Sequence, residues 1–326
     1  MKQALSRRML VSSIALAAAT LLAPVAQAQT SKSVAVTAIV DHPALDAVRK
    51  GVEDELKAQG WVAGKNLKYQ YQSAQGNSAT AGQIARKFIG DKADVIVAIA
   101  TPSAQAAVVA TSSVPVVFTA VTDPVAAMLV KDSKPSGTNV TGVSDREPRA
   151  PQIDLMQKIV PGAKRIGMVY SPGEVNSTII VKELKEALAQ RGMSLHEAAA
   201  PRTVDIPSAA KSLIGKIDLM YTTTDNNVVS AYESMARLAA DAKLPLVASD
   251  TGSVARGAIA ALGMNYYDMG RQTGKIVVRI LKGEKPGAIA FEVGRNTTLE
   301  INAKAAREQG VTLSPALLKE GKVVVP

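Results

Sequence analysis

Hydroxyl, carboxyl and proline residues follow two apolar, β-branched runs in the middle of the chain. The runs cover residues 95–100 and 114–121, and the segments TPS and TDP follow them. Such runs predict strands buried on both faces, and Ser, Thr, Asp and Pro after them predict that a helix begins. Hydroxyls beside the free N–H groups and positive dipole end of a helix suit a small anion such as a carboxylate. The candidate residues for this anion site are Thr101, Ser103, Thr119, Thr122 and Asp123.

A second set of polar residues follows the apolar runs of the second half of the chain. The turns after residues 170, 223 and 249 carry carboxyl, amide and hydroxyl groups. A carboxylate makes short, charge-assisted bonds to an ammonium group, so Asp225 and Asp250 are expected to hold a cationic group of a ligand. Capping of the following helix is the alternative role for these residue types. The candidates in these turns are Tyr170, Glu174, Asn176, Ser177, Asp225, Asn226 and Asp250.

His42 and Tyr267 complete the set of candidate ligand contacts. His42 lies in the first predicted strand-to-helix turn, and Tyr267 offers a ring for stacking, with core packing as its alternative role. The chain has two histidines and no cysteine, which excludes thiolate metal sites and cysteine nucleophiles. The G-x-S-x-G, G-x-G-x-x-G and H-E-x-x-H motifs are absent from the sequence. We therefore expect a binding protein and not an enzyme, with no metal and no cofactor.

Strands and helices are predicted to alternate in two successive series. The strands of the first series are predicted at 33–40, 67–73, 95–100 and 114–121. A Pro- and Gly-marked segment interrupts the series, and the pattern restarts at residue 165 and includes a long helix over 228–242. This repetition is typical of an α/β fold with doubly wound parallel sheets. Two such lobes enclose a cleft, and the segment after residue 258 is expected to return to the first lobe and then cross to the second.

The first 28 residues have the composition of an export signal. Lys2, Arg7 and Arg8 form a basic region before an apolar stretch, and Ala26-Gln27-Ala28 has the form of a signal-peptidase site. We expect cleavage before Gln29, with export by either the Sec or the twin-arginine route. Without a cysteine for lipid attachment, the mature protein is expected to be free in the periplasm and not lipid-anchored.

The positive charge of the chain does not indicate a nucleic-acid partner. The formal net charge is +10, and removal of the three cations of the signal leaves 10 − 3 = +7. The remaining Lys and Arg residues are scattered over predicted helix surfaces and turns, without a basic run or a basic–aromatic platform. Nucleic acid is therefore not expected as a partner.

Many segments resemble substrate-binding proteins of bacterial ABC uptake systems, in the family that includes tryptophan-, tyrosine- and phenylalanine-binding members. They include HPALDAVRKG (42–51), TPSAQAA (101–107), FTAVTDPVAA (118–127), GTNVTGVSD (137–145), YSPGEVNS (170–177) and TTTDNNVVS (222–230). VASDTGSVARGAIAALGMNYYDMGRQTG (247–274) and LKGEKP (281–286) continue the resemblance over nearly the whole mature chain. It implies the type I periplasmic-binding fold, with two Rossmann-like lobes joined by a three-stranded hinge that crosses near residues 140–145, 255–260 and 287–292. The expected ranges are 1–28 for the signal peptide, 29–141 plus 259–288 for lobe 1, and 142–258 plus 289–326 for lobe 2.

The resemblance implies a function in uptake. We expect a monomer that binds a small molecule between the lobes, an aromatic or branched amino acid by this resemblance, and delivers it to an inner-membrane ABC permease. A periplasmic sensor subunit that docks on a receptor, a carrier of a non-amino-acid solute, and an α/β enzyme are the alternatives. Genomic neighbours, a ligand screen and a turnover assay separate them.

Overall fold

Strands and helices alternate along most of the chain in this computed structural model, which describes residues 31–326. The strands are β1 Lys32–Ala38, β2 Leu67–Ser73, β3 Val95–Ile99, β4 Val116–Val121, β5 Val140–Ser144, β6 Arg165–Tyr170, β7 Ser194–Ala199, β8 Leu219–Thr222, β9 Leu246–Ala248, β10 Ala260–Met264, β11 Glu292–Val293, β12 Thr297–Asn302 and β13 Lys322–Val325. The expected signal and its cleavage site lie outside the described residues. Between residues 31 and 326, no helix combines the length and the apolar character needed to cross a membrane.

Helices connect most of the successive strands. They are α1 Pro43–Ala58, α2 Ser78–Gly90, α3 Thr101–Ala110, α4 Arg149–Ile159, α5 Val175–Ala189, α6 Ile206–Leu213, α7 Asn226–Ser230, α8 Tyr232–Asp241, α9 Tyr266–Leu281, α10 Ala303–Glu308 and α11 Pro315–Glu320. Many begin at a side-chain cap, as α2 does at Asn77, whose side chain accepts from Thr80 N.

The strands of the described chain form two sheets. The first has the order β11-β5-β4-β3-β1-β2, and all its pairs are parallel. The second has the order β13-β12-β10-β9-β8-β6-β7, and only the β10–β12 pair is antiparallel. One apolar core surrounds the first sheet, and two clusters cover the faces of the second. The α/β class and the two mostly parallel sheets predicted from the sequence are confirmed.

The return of the chain to the first sheet after β10 depends on a close helix contact. Helix α9 packs against α1, and glycines stand where the two backbones approach. A Cβ atom on Gly51 would lie 2.2 Å from Tyr267 O, and one on Gly270 would lie 2.1 Å from Val48 O. Only glycine fits at these two positions. The close contact with α1 that the glycines allow places α9 in the first lobe, although the strand before it belongs to the second sheet.

The chain passes between the two sheets three times. It does so at residues 145–148, at Asn265 and at residues 294–296. The sequence assigned 259–288 to lobe 1, but strand β10 pairs with β9 and β12 in the second sheet. Residues 142–144 and 289–293, assigned to lobe 2, pair in the first sheet as parts of β5 and β11. These differences arise because backbone pairing with distant strands decides sheet membership.

Two predicted helices also differ from the structure. The helix expected after Pro124 is a series of turns, in which Asp123 accepts from Val125 N and Ala126 N, and Met128 has a φ of 59°. A left-handed residue ends helical geometry, so the turn does not propagate. The helix expected over 228–242 is divided at Ala231 into α7 and α8.

Candidate functional site

One cavity lies where the carboxyl ends of strands from both sheets face each other. It has an empty volume of about 340 Å³, and both lobes contribute to its lining. Carboxyl ends of parallel strands are the usual ligand positions in α/β folds. The lining residues are His42, Ala44, Leu45, Ala100, Thr101, Ala120, Thr122, Asp145, Asn176, Thr224, Asn226, Val229, Asp250 and Tyr266. Six of the residues predicted from the sequence are therefore brought together: His42, Thr101, Thr122, Asn176, Asn226 and Asp250.

The first-lobe wall contains hydroxyl groups without partners at the start of α3. Thr101 is the first residue of this helix and is 2% exposed, and within residues 31–326 its hydroxyl has no hydrogen-bond partner. Ser103 is fully buried behind this wall, outside the cavity lining, and its hydroxyl is also unpartnered in that range. The residue before the helix is Ala100, which has no side-chain oxygen to cap the N–H groups. A buried, uncapped helix N-terminus with an adjacent hydroxyl suits an anionic group.

His42 also lies on the first-lobe wall of the cavity, and its imidazole ring is neutral. Its Nδ1 accepts from Leu45 N at 3.4 Å and caps α1. Burial, and then the positive charge of Arg256, lower the pKa of His42 to about 4. At neutral pH the ring therefore carries no charge, and because Nδ1 accepts from Leu45 N, the Nε2–H group is left as a donor.

A carboxylate at the first crossing between the sheets has one oxygen without a partner. Asp145 Oδ2 accepts from the Tyr266 hydroxyl at 2.8 Å, whereas Oδ1 has no partner in the described chain. Burial raises the pKa of Asp145, and the hydrogen bond from Tyr266 and the positive charge of Arg149 oppose this rise. Asp145 and Tyr266 both line the cavity, so a cationic group there finds an acceptor that is already in place.

Asn176 and Asn226 form the second-lobe wall in front of a buried acid. Glu174 Oε2 accepts from Asn226 Nδ2 at 2.7 Å and from Asn176 Nδ2 at 3.0 Å. Burial, and then the negative charge of Asp225, raise the pKa of Glu174 to about 7. The Asn176 amide oxygen has no partner among the described residues, so it is a further acceptor at the cavity. Glu174 itself holds the two amides in place and lies behind the lining.

Asp250 lines the cavity while it caps a short turn. Its Oδ1 accepts from Ser253 N at 3.0 Å, and its Oδ2 accepts from the Ser253 hydroxyl at 2.7 Å. Burial raises the pKa of this carboxyl, and the two bonds from Ser253 act in the opposite direction. Both the capping role and the cavity position expected from the sequence therefore occur together.

Asp225 lies away from the cavity lining within residues 31–326, and its oxygens are fully used. Oδ2 accepts from Ser171 N at 2.6 Å and from the Ser177 hydroxyl at 2.7 Å. Oδ1 accepts from the Ser171 hydroxyl at 2.9 Å and from Val228 N at 3.0 Å. These bonds tie the ends of β6 and β8 together, which explains why neither Asp225 nor Ser177 lines this cavity.

Four further candidates lie outside the lining of the cavity, as far as the chain is described. Thr119 accepts from the Thr273 hydroxyl at 2.8 Å inside the first lobe, and Tyr170 packs against the core of the second. Tyr267 is 37% exposed and donates to Asp54 at 3.0 Å, whereas its neighbour Tyr266 reaches the cavity.

Asp123 is the fourth of these candidates and takes part in a link between the lobes. Arg146, in the first crossing, pairs with both Asp123 of the first lobe and Glu183 of α5 in the second. The Arg146 side chain is 47% exposed, so this link lies in solvent. Asp123 therefore acts in an interlobe ion pair and in the turn after β4.

Two solved structures of similar sequence differ in how well they superpose on this chain. An ABC domain in complex with L-Trp from Streptococcus pneumonia is 34% identical and has a TM-score of 0.87, with 90% of this chain and 100% of that one covered. The ligand-free, open structure of a substrate-binding protein with adhesive properties from Clostridium difficile is 37% identical and has a TM-score of 0.69, with 90% and 99% covered. Since the identities are similar, the lower score reflects a larger difference in overall structure from that open form. The cavity shared by both lobes agrees with a closed arrangement.

Similarity to characterised sequences extends over most of the chain. A tyrosine-binding protein of Clostridioides difficile is 38% identical over 271 residues, which are 83% of this chain and 79% of the relative. The model of the ABC transporter substrate binding protein family matches residues 33–325. The chain therefore belongs to the family of ABC transporter substrate-binding proteins.

Proposed function

We propose that this protein is the periplasmic component of an ABC uptake transporter and binds an aromatic or branched amino acid between its lobes. The observation that carries this proposal is the distribution of unpartnered polar atoms around the cavity. Donors lie at the start of α3, and the acceptor Asp145 Oδ1 lies at the crossing. A free amino acid presents the complementary pair, a carboxylate and an ammonium group. The tyrosine-binding and L-Trp-bound relatives support the amino-acid class.

The ligand carboxylate binds at the first-lobe wall. The Thr101 hydroxyl donates to it together with the uncapped N–H groups of the first turn of α3. The positive end of the helix dipole adds to this attraction, so an arginine is not needed. Thr122 adds a second hydroxyl from the end of β4.

The ligand ammonium group binds at Asp145, with the Asn176 amide oxygen and Asp250 as further acceptors. Asp145 replaces Asp225 in the role that the sequence suggested, because the oxygens of Asp225 are already bonded to four donors. An ammonium group beside Asp145 also lowers the electrostatic cost of burying that carboxylate.

Binding closes the lobes and creates the form that the permease recognises. The lobes follow the sheets, with residues 32–144 and 266–293 in the first and 149–264 and 297–325 in the second. A ligand that contacts both walls gains these interactions only when the lobes are together, so it shifts the equilibrium toward the closed form. The protein acts as a monomer, binds without catalysis and is free in the periplasm after removal of residues 1–28. N-terminal sequencing of the exported protein tests the processing site.

The first experiment identifies the ligand. The purified mature protein is screened by thermal shift against the twenty amino acids, sugars and purines, and hits are measured by calorimetry. We expect L-tyrosine, L-tryptophan or a branched amino acid to raise the melting temperature. Stabilisation by sugars or purines alone would reject the amino-acid proposal.

The second experiment tests the two ends of the ligand with matched analogues. With L-tyrosine as the ligand, Asp145→Asn is expected to weaken binding about 100-fold, because the ammonium group loses a buried charged partner. Desaminotyrosine, which lacks the ammonium group, should bind weakly and equally to wild type and Asp145→Asn. Tyramine, which lacks the carboxylate, should likewise bind equally to wild type and Thr101→Val. Asp132→Asn is the control, since Asp132 is exposed in the first lobe. Equal losses for tyrosine and desaminotyrosine in Asp145→Asn would contradict the assigned orientation.

A further inference from the structure

Two alanines of the cavity wall have backbone conformations that favour glycine. Ala100 has φ 73° and ψ 155°, and Ala120 has a φ of 52°. Positive φ is costly for any residue with a Cβ atom, and the region that Ala100 occupies is used almost only by glycine. Both alanines line the cavity, and both are buried.

Each conformation has a clear structural cause. Ala100 lies between the last residue of β3 and the first residue of α3, so a single residue must turn the chain from strand to helix. Ala120 lies at an irregularity in β4, where the register with β5 shifts between Thr119 and Val121. Glycine is the common residue at a bulge position with left-handed geometry. The backbone conformation at both positions therefore favours glycine. The residue at each position is nevertheless alanine, which adds a methyl group.

The two alanines are neighbours on one surface. Ala100 N donates to Thr119 O at 2.9 Å across the β3–β4 pair, which places Ala100 beside the residue before Ala120. Thr101 and Thr122, the hydroxyl residues of the same wall, lie one and two positions after them. We propose that the methyl groups of Ala100 and Ala120 are positioning contacts for the bound ligand, and that this contact is the reason for the strained alanines. This inference rests on the proposed amino-acid ligand.

The test separates a ligand contact from a structural role. Ala100→Gly and Ala120→Gly are compared with wild type by thermal unfolding without ligand, and by calorimetry with L-tyrosine and L-tryptophan. Relief of backbone strain should leave the melting temperature unchanged or raise it by up to about 3 °C. Loss of one methyl contact should weaken binding about three- to fivefold in each variant, and more in the double variant.

Met128→Gly is the matched control. Met128 also has a positive φ, 59°, but its side chain is 81% exposed and it is not part of the cavity lining. Met128→Gly should leave the melting temperature unchanged or raise it, as the two alanine variants should, without a change in affinity for the ligand. Unchanged affinity in both alanine variants would overturn the inference and leave the amino-acid proposal intact. A clear fall in melting temperature would also overturn it, because the methyl groups would then be structural. If wild type bound neither amino acid, the proposed function would fail, and this inference with it.

Discussion

The two lobes differ in how the polar residues at their strand ends are used near the cavity. In the first lobe, the hydroxyls of Thr101 and Ser103 are buried without a hydrogen bond to any residue of the described chain. In the second lobe, Asp225 accepts from four donors and Asp250 from two. Both lobes present polar residues at strand ends, but the first keeps a donor available at Thr101, whereas the acids of the second mostly hold its own loops and leave the Asn176 amide oxygen as a free acceptor.

This difference indicates what each wall contributes. A buried polar atom without a partner costs free energy unless a ligand supplies the missing bond. The unpartnered first-lobe hydroxyl therefore agrees with the proposed ligand site, whereas in the second lobe Glu174 holds Asn176 and Asn226, and Asp225 ties the strand ends together. Removal of an acid from the frame should affect folding more than binding, and removal of a free group should do the reverse.

The largest expected effect is the loss of stability in Asp225→Ala. Four buried donors lose their acceptor, so we expect the free energy of unfolding to fall by about 4 kcal/mol. Urea denaturation measures this loss, and calorimetry on the folded protein should show less than about tenfold weaker binding. Asp154→Ala is the control, because Asp154 makes a surface ion pair with Arg191 and its loss should cost under about 1 kcal/mol. A stable Asp225→Ala variant with strongly weakened binding would reverse the comparison between the walls.

A smaller effect is expected in the pH dependence of Glu174→Gln. The pKa of Glu174 in the folded protein is about 7, above its ordinary value of 4.5, because of burial and the charge of Asp225. The folded state therefore holds this proton more tightly than the unfolded state does. The resulting stability is complete below pH 4.5 and is lost as the pH rises through 7. We expect wild type to lose about 2 kcal/mol from this group between about pH 5 and 8, and Glu174→Gln to lack that loss.

His42 provides an internal reference for the same measurement. Its folded pKa of about 4 lies below the ordinary 6.5, so its contribution to stability grows as the pH rises from 4 to 6.5. This contribution is common to wild type and Glu174→Gln and cancels in the difference between their unfolding curves. Parallel pH curves for the two proteins would show that Glu174 is ionised in the folded state, against the expected raised pKa.

Local sequence patterns were sufficient for most elements of the fold. Residues 67–73 are a strand with the predicted bounds, and the strand series restarts at residue 165 as predicted, because alternating or apolar runs end at clear turn residues. Helix α4 was not predicted, and it carries Pro151 in its first turn, where proline is tolerated. The sheet membership of β10 depends on pairing with β12, almost forty residues later, which no local pattern reveals.

The sequence could place a candidate residue at the cavity only where the position of that residue depends on its neighbours along the chain. Thr101 was found because a hydroxyl directly follows a buried strand. Asp145 was missed, although it directly follows strand β5, because that strand reads VTGVS and is not an apolar run, and Gly and Pro nearby suggested only a crossing. The place of Asp225 depends on Ser171 and Ser177, which are 54 and 48 residues away. Whether a carboxylate at a strand end is free or hydrogen-bonded depends on residues that are far away along the chain.

The smallest expected effect concerns the exposed link between the walls. Arg146 pairs with Asp123 of the first lobe and Glu183 of the second, so its charge favours the arrangement in which the lobes are close. Because exposed ion pairs contribute little and salt screens them, Arg146→Ala should weaken L-tyrosine binding by about two- to threefold at low salt. At about 0.5 M salt the difference from wild type should nearly vanish. Arg202→Ala is the control, since Arg202 and its partner Asp205 lie on the same lobe and should leave affinity unchanged. A loss in Arg146→Ala as large as that in Asp145→Asn would mean that the lobes are held together mainly by this link and not by the ligand.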